Sequence, residues 1–190
     1  EQGVKILGAH IDSPRLDLKP NPLYEDSGLA MLKTHYYGGI KKFQWVALPL
    51  ALHGVVAKKD GTVEKVVLGE EPTDPVLGIS DILPHLGKDQ AVKPMGEAFT
   101  GEDLNVCVGS IPEKEADSEA VKKHVLVLLK EKYGMEEDDF LSSELEIVPA
   151  GAARDYGLDR SMILGYGHDD RICAYTSFMA MMDCPEADRT

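Results

Sequence analysis

The sequence has few cysteines and few basic residues. Its three cysteines are too few and too widely spaced for a disulfide framework, and no Cys-x-x-Cys pair is present for a zinc knuckle. Sparse cysteine is typical of a reducing compartment, so we expect a cytoplasmic protein. The 20 basic residues stand against 33 acidic ones, and the net charge of −13 disfavours binding to nucleic acid or to an anionic membrane.

Long hydrophobic runs are also missing. The most apolar stretch, residues 45–57, is interrupted by Pro49 and Gly54 and is too short for a membrane-spanning helix. The composition is otherwise that of a globular protein, with 43% hydrophobic and 28% charged residues over 190 positions. We therefore expect neither nucleic acid nor a membrane as a partner.

Hydrophobic patterning predicts a β-rich middle between two α/β pieces. A short strand is predicted at residues 4–7, and the prolines that follow indicate an irregular linking segment over residues 13–28. The Asp60-Gly61 turn predicts a hairpin, and residues 87–117 read as a long loop. Further strands are predicted at 29–37, 45–58, 63–68, 76–80, 145–148 and 161–164, and helices at 118–133, 136–141 and 171–182.

His10 and Asp12 form the first candidate site. Residues i and i+2 of an extended chain share a face, so the imidazole and the carboxylate point the same way just after the predicted strand. A metal-binding histidine commonly donates its second ring N–H to a carboxylate, which fixes its tautomer. The pattern is therefore compatible with a metal ligand and its supporting acid. A surface histidine beside a turn aspartate fits the same spacing.

Asp169 and Asp170 form the second candidate site, between a predicted strand and a predicted helix. An aspartate at a helix start is a good N-cap and suits the helix dipole. A carboxylate at this place could equally bridge two metal ions. The spacing alone leaves both interpretations open.

The remaining signals are weaker. Gly165-x-Gly167 lacks the third glycine of a dinucleotide fingerprint, and no phosphate-binding loop, His-Glu-x-x-His or Gly-x-Ser-x-Gly motif is present. His85 has the pattern of an exposed side chain, which by itself reads as structural. His53 and His124 lie inside strand and helix patterns, where we expect local partners to satisfy them.

Three ordered blocks together resemble a known family, the aspartyl-aminopeptidase-like zinc aminopeptidases. Gly8-Ala9-His10-Ile11-Asp12-Ser13-Pro14-Arg15-Leu16 is similar to the first metal motif of that family. Tyr37-Gly38-Gly39-Ile40 followed by Trp45 resembles the start of its inserted domain. Gly167-His168-Asp169-Asp170-Arg171-Ile172-Cys173-Ala174-Tyr175 looks like its second metal motif.

The resemblance implies an α/β zinc-peptidase sandwich, present in part and interrupted by a β-rich inserted assembly domain. By position, residues 1–17 and 151–190 would belong to the catalytic domain and residues 18–150 to the inserted dimerisation domain. It also implies a metalloaminopeptidase that uses two divalent metal ions to remove N-terminal residues from peptides. In this family the expected metal is zinc. Such enzymes are homo-oligomers assembled through the inserted domain.

The resemblance also assigns residues. His10 matches a terminal zinc ligand, Asp12 the catalytic-site residue that orients it, and Asp169 the carboxylate that bridges the metals. Asp170 receives no ligand role. His85 lies close to where relatives place a substrate-binding histidine in the inserted domain.

The family pattern further requires an adjacent Glu-Glu pair, another carboxylate and a distal histidine after the second motif. None of these follows Asp169 in the sequence, so we expect them beyond Thr190 and expect residues 1–190 alone to be inactive. Two alternatives remain open at this point. One is an assembly or interaction module without catalysis of its own, and the other is a glutamyl-aminopeptidase-like two-metal peptidase.

Overall fold

The computed structural model describes residues 4–185, which divide into two compact units. One unit combines residues 4–14 with residues 152–185, and the other is the continuous segment Arg15–Gly151. The family resemblance implied boundaries after residues 17 and 150. The first boundary lies earlier in the structure because Arg15 already pairs with Tyr37 in a β-ladder.

Within the described residues, the Arg15–Gly151 unit is built on a six-stranded antiparallel sheet. Its strands are β1 (Arg15–Asp26), β2 (Leu29–Tyr37), β3 (Leu50–Ala57), β4 (Val63–Leu68), β5 (Val106–Gly109) and β6 (Ser143–Pro149). The spatial order is β4-β3-β6-β1-β2-β5, and every ladder is antiparallel. The first and last strands of the unit are therefore neighbours, with Leu16 opposite Ile147.

Strand β1 corrects the prediction of a linking segment over residues 13–28. Pro20 and Pro22 lie where the β1–β2 register shifts, between Leu18 and Leu23. A proline is tolerated at such an irregularity because no ladder hydrogen bond is required of its nitrogen. The prolines therefore mark a bulge inside one long strand.

The predicted β3–β4 hairpin is confirmed, with Ala57 opposite Val63 across the Asp60-Gly61 turn. In the turn, Asp60 accepts hydrogen bonds from the backbone N–H and the hydroxyl of Thr62. The predicted strand over residues 45–58 is too long at its start. Trp45 follows a 3-10 helix at Lys42–Gln44 and is buried in the core, so the strand begins only at Leu50.

Helix α1 is the single turn Lys88–Ala91. Helix α2 (Ala120–Tyr133) packs against the sheet through Val121 and Val125. The helix was predicted to begin at Ser118, but its N-cap is Glu119, which makes no side-chain capping hydrogen bond. The Glu25 carboxylate of β1 instead accepts hydrogen bonds from the N–H groups of Val121 and Lys122, at 2.9 and 3.1 Å. A carboxylate here satisfies two otherwise unpaired donors and suits the helix dipole.

Residues 76–117 hold more regular structure than the sequence indicated. The predicted strand at 76–80 is reduced to two isolated bridges, Leu50 with Leu77 and Gly78 with Cys107. The predicted long loop contains α1, a 3-10 helix at Glu102–Leu104 and the edge strand β5. A further 3-10 helix, Glu137–Ser142, lies where a short helix was predicted.

The unit of residues 4–14 and 152–185 contains a two-stranded ladder, β7 (Arg154–Tyr156) with β8 (Met162–Leu164), and helix α3 (His168–Met182). The strand predicted at residues 4–7 is absent from the described part of this unit, where residues 4–14 have no regular secondary structure. None of the helices within residues 4–185 is both long and apolar enough to cross a membrane.

Candidate metal centre

In the structure, the side chains of the first candidate site, His10 and Asp12, lie next to each other. His10 Nδ1 lies in direct contact with Asp12 Oδ1, as the shared face of an extended segment predicts. A ring whose Nδ1 faces a carboxylate presents Nε2 as the nitrogen for a metal ion. The side chain of His10 is 64% exposed, so a ligand can reach that nitrogen.

Helix α3 brings the second motif to the same place. Asp170 Oδ2 lies 3.1 Å from His10 Nδ1, although the two residues come from opposite ends of the sequence. One ligand atom from each of His10, Asp12 and Asp170 can be chosen so that all three lie within 4.8 Å of one another. The structure therefore joins the two motifs in one polar cluster.

The start of α3 shapes this cluster. Gly167 stands at the N-cap with φ +86°, and Asp169 has extended angles of −90° and 119° inside the helix. The peptide bond between Asp169 and Asp170 is cis. The extended angles of Asp169 take the backbone off the helical path where the two aspartates occur.

The two neighbouring carboxyl groups influence each other. The pKa of Asp170 is raised, chiefly by a hydrogen bond with the Asp169 side chain and further by desolvation and by the charge of Asp169. His10 acts in the opposite direction on this pKa. Two carboxylates this close favour a shared proton or a shared cation.

The donor set fits a borderline divalent ion such as zinc. Zn²⁺ accepts imidazole nitrogen and carboxylate oxygen at about 2.0–2.2 Å, which places ligand atoms about 3 to 4 Å apart. In this cluster, His10 and Asp170 offer a ligand nitrogen and a ligand oxygen, and Asp12 offers the carboxylate that holds the His10 ring. The residues present therefore fit a metal ion.

The structure brings only some of the predicted site residues together. His10 and Asp12 are in the cluster, while Asp169 adjoins it through Asp170 and is not one of its three members. His85 is exposed in the turn before α1, in the other unit. Asp170, which the family resemblance leaves without a ligand role, is the third member of the cluster. The Asp-Asp pair itself was the available signal.

The remaining paired histidines have structural partners. His53 Nε2 lies 2.6 Å from Glu70 Oε1, and His124 Nδ1 lies 3.2 Å from Glu113 Oε2. The hydrogen bond with His124 is the main cause of the lowered pKa of Glu113. The expectation that local partners satisfy these two histidines is confirmed.

Comparison with known proteins gives a consistent result. The family profile of the aminopeptidase I zinc metalloproteases (M18) matches residues 1–190. A Clostridium acetobutylicum protein described as a probable M18 family aminopeptidase 1 is 63% identical over 189 residues, which are 99% of this chain and 41% of that protein. A Thermotoga maritima protein of the same description is 52% identical over 182 residues, or 96% of this chain and 40% of that protein.

Solved structures agree. The crystal structure of aminopeptidase I from Clostridium acetobutylicum matches with a TM-score of 0.88 at 59% identity, over 99% of this chain and 41% of that one. The S. cerevisiae mApe1 dodecamer matches with a TM-score of 0.60 at 20% identity, over 95% of this chain and 40% of that one, which is a likeness of fold. The chain thus spans about two fifths of the relatives it matches, and it belongs to the M18 family of aminopeptidase I zinc metalloproteases.

Proposed function

We propose that this chain forms part of a zinc aminopeptidase that removes N-terminal residues from peptides. The observation that carries the proposal is the cluster of His10, Asp12 and Asp170, which joins two sequence motifs at one point. Family membership supports zinc as the metal and peptides as the substrates. The unit of residues 4–14 and 152–185 would then be part of the catalytic α/β sandwich.

Each polar residue has a role in this proposal. His10 binds the metal through Nε2, and Asp12 holds the ring by accepting a hydrogen bond from Nδ1. Asp170 and Asp169 supply carboxylate oxygens, and we assign the bridge between two ions to Asp169, as the resemblance implies. When bound, such ions polarise a peptide carbonyl and lower the pKa of a water molecule.

The test is cleavage specificity of the full-length protein loaded with zinc. We expect loss of one residue at a time from peptides with a free α-amine, and no cleavage of the same peptides after N-acetylation. Mass spectrometry of the products measures both. Cleavage of internal bonds in acetylated peptides, or no cleavage of either form, would refute the aminopeptidase function.

A second test uses residues 1–190 alone. Because they span about two fifths of their relatives, we propose that the general base and the other ligands lie elsewhere in the protein. This segment should therefore hydrolyse aminoacyl-p-nitroanilides negligibly even with added zinc. Clear turnover that His10→Ala abolishes would show that the segment carries a complete site.

We also propose that the Arg15–Gly151 unit is the inserted assembly domain and that its partner is a second copy of this chain. Its support is a run of large apolar side chains that are each more than half exposed, namely Val76, Ile82, Leu83, Leu86, Val92 and Met95. Such a concentration is typical of an interaction surface. The yeast relative of the same fold is a dodecamer.

Light scattering after size exclusion tests the assembly. We expect a homo-oligomer for the full-length protein and a smaller mass for the double variant Leu83→Ser with Leu86→Ser. The control is Ile111→Ser, a similarly exposed position in the same unit, which should keep the original mass. An unchanged mass in the double variant would exclude this surface from the interface.

A further inference from the structure

Two hydrogen bonds connect the first metal motif to the second through residues that are not part of the ligand cluster. The Ser13 hydroxyl donates to the backbone carbonyl of Asp169 at 2.8 Å. The Tyr166 hydroxyl donates to the backbone carbonyl of Pro14. The two bonds join the segment that follows His10 to the first turn of α3 at Asp169 and to Tyr166 just before that helix.

The Ser13 bond acts on the peptide group that carries Asp170. Asp169 has extended angles where the helix would require helical ones, so its carbonyl departs from the direction of the other carbonyls of α3. The Ser13 hydroxyl gives that carbonyl a donor and thereby fixes the plane of the peptide between Asp169 and Asp170. The orientation of this plane sets where the Asp170 carboxylate points.

The local sequence leaves space for this bond. A Cβ on Gly167 would lie 3.3 Å from Ser13 Oγ and 1.9 Å from Arg171 Nη1. Gly167 also has φ +86°, a conformation that side chains other than glycine rarely adopt. A glycine at this position therefore admits both the serine hydroxyl and the arginine beside the turn.

We propose that Ser13 is a positioning residue of the metal centre. It lies three residues after His10 and fixes the carbonyl one residue before Asp170, so it holds the nitrogen and carboxylate ligands at their mutual distance. A metal site tolerates errors of only about 0.5 Å in such placement. Tyr166 is the second tie, acting on the same segment through Pro14. The inference rests on the proposed zinc site.

The test measures zinc affinity of the full-length protein by competition with a chromophoric chelator, and the visible spectrum of the Co²⁺-substituted protein. We expect Ser13→Ala to weaken zinc binding about 10- to 100-fold, the range for residues that orient metal ligands. The Co²⁺ absorption bands should change in position or intensity because the ligand geometry relaxes. Tyr166→Phe should produce a smaller change in the same direction.

Two further variants separate positioning from loss of structure. Ser13→Thr keeps the hydroxyl and should restore affinity to within about threefold of the wild type. Ser161→Ala removes a serine hydroxyl that bonds Asp159 in the same unit, and it should leave both readouts unchanged. If Ser13→Thr fails to restore affinity while its circular dichroism matches the wild type, the hydroxyl bond is not the cause and the proposal is wrong.

The possible failures are distinguishable. Tight zinc binding by both the wild type and Ser13→Ala, with identical Co²⁺ spectra, would overturn the positioning role and leave the zinc site intact. A wild-type protein that binds no zinc would refute the proposed function and the positioning role together.

Discussion

Gly54→Ala is expected to destabilise the Arg15–Gly151 unit by about 3–5 kcal/mol, a large part of the stability of an ordinary domain. Gly54 lies in β3 with φ +145°, which strains any residue that has a side chain. A Cβ there would also lie 1.9 Å from the carbonyl oxygen of Glu144 in β6. This contact is with backbone, so no rotamer change can relieve it, and the central β3–β6 ladder must shift.

Urea unfolding followed by tryptophan fluorescence measures the effect, because the single tryptophan, Trp45, is buried in this unit. Two other glycines form a graded control. Gly61→Ala meets open space at φ +86° and should cost about 1 kcal/mol from backbone strain. Gly39→Ala meets open space without a positive φ and should be nearly neutral. Equal midpoints for the three variants would contradict the close approach at Gly54.

His10→Ala is expected to weaken zinc binding by the full-length protein by more than about 100-fold and to remove aminopeptidase activity with it. In the proposed site the imidazole is the nitrogen ligand, and the carboxylates that remain would repel one another without a cation. Asp12→Asn should have a milder effect, about 10- to 100-fold, because it loosens the ring without deleting a ligand. Calorimetric zinc titration and kcat/KM measure both.

His35→Ala is the matched control. His35 is an exposed histidine that stacks on Tyr36 in the other unit, so its loss should leave zinc affinity unchanged. Asp169→Asn and Asp170→Asn then separate the neighbouring carboxylates. A larger loss for Asp169 supports the bridging role that the resemblance implies, and a larger loss for Asp170 favours the observed cluster. Zinc affinity insensitive to His10→Ala would place the metal elsewhere.

The sequence predicted those elements whose signals are local. Residues 29–37 and 63–68 are rich in apolar and aromatic residues and are bounded by turn residues, and β2 and β4 have those bounds. It failed where tertiary contacts decide the outcome. The prolines of β1 are tolerated because the register of the β1–β2 ladder shifts at that point. The helix cap from Glu25 comes from a residue 96 positions away from Val121, which no local pattern reveals.

The sequence predicted which residue types form the candidate site better than it predicted their arrangement in space. His-x-Asp defines its own shared face, and the structure confirms the contact between His10 and Asp12. The choice between Asp169 and Asp170 depends on a backbone that leaves the helical path at Asp169. The Ser13 bond spans 156 positions and acts on a carbonyl, a group present at every residue. Sequence patterns carry no sign of either feature.

The pairing of Leu16 with Ile147 has a consequence for the order of folding. A disordered chain of this length between the two metal motifs would cost roughly 4 kcal/mol of loop-closure entropy before His10 and Asp170 could meet. Because the first and last strands of the Arg15–Gly151 unit are neighbours, folding of that unit alone draws its two ends together. The flanking motifs would then meet at a high effective concentration, so a metal ion at the proposed site would bind residues that folding has already brought close together.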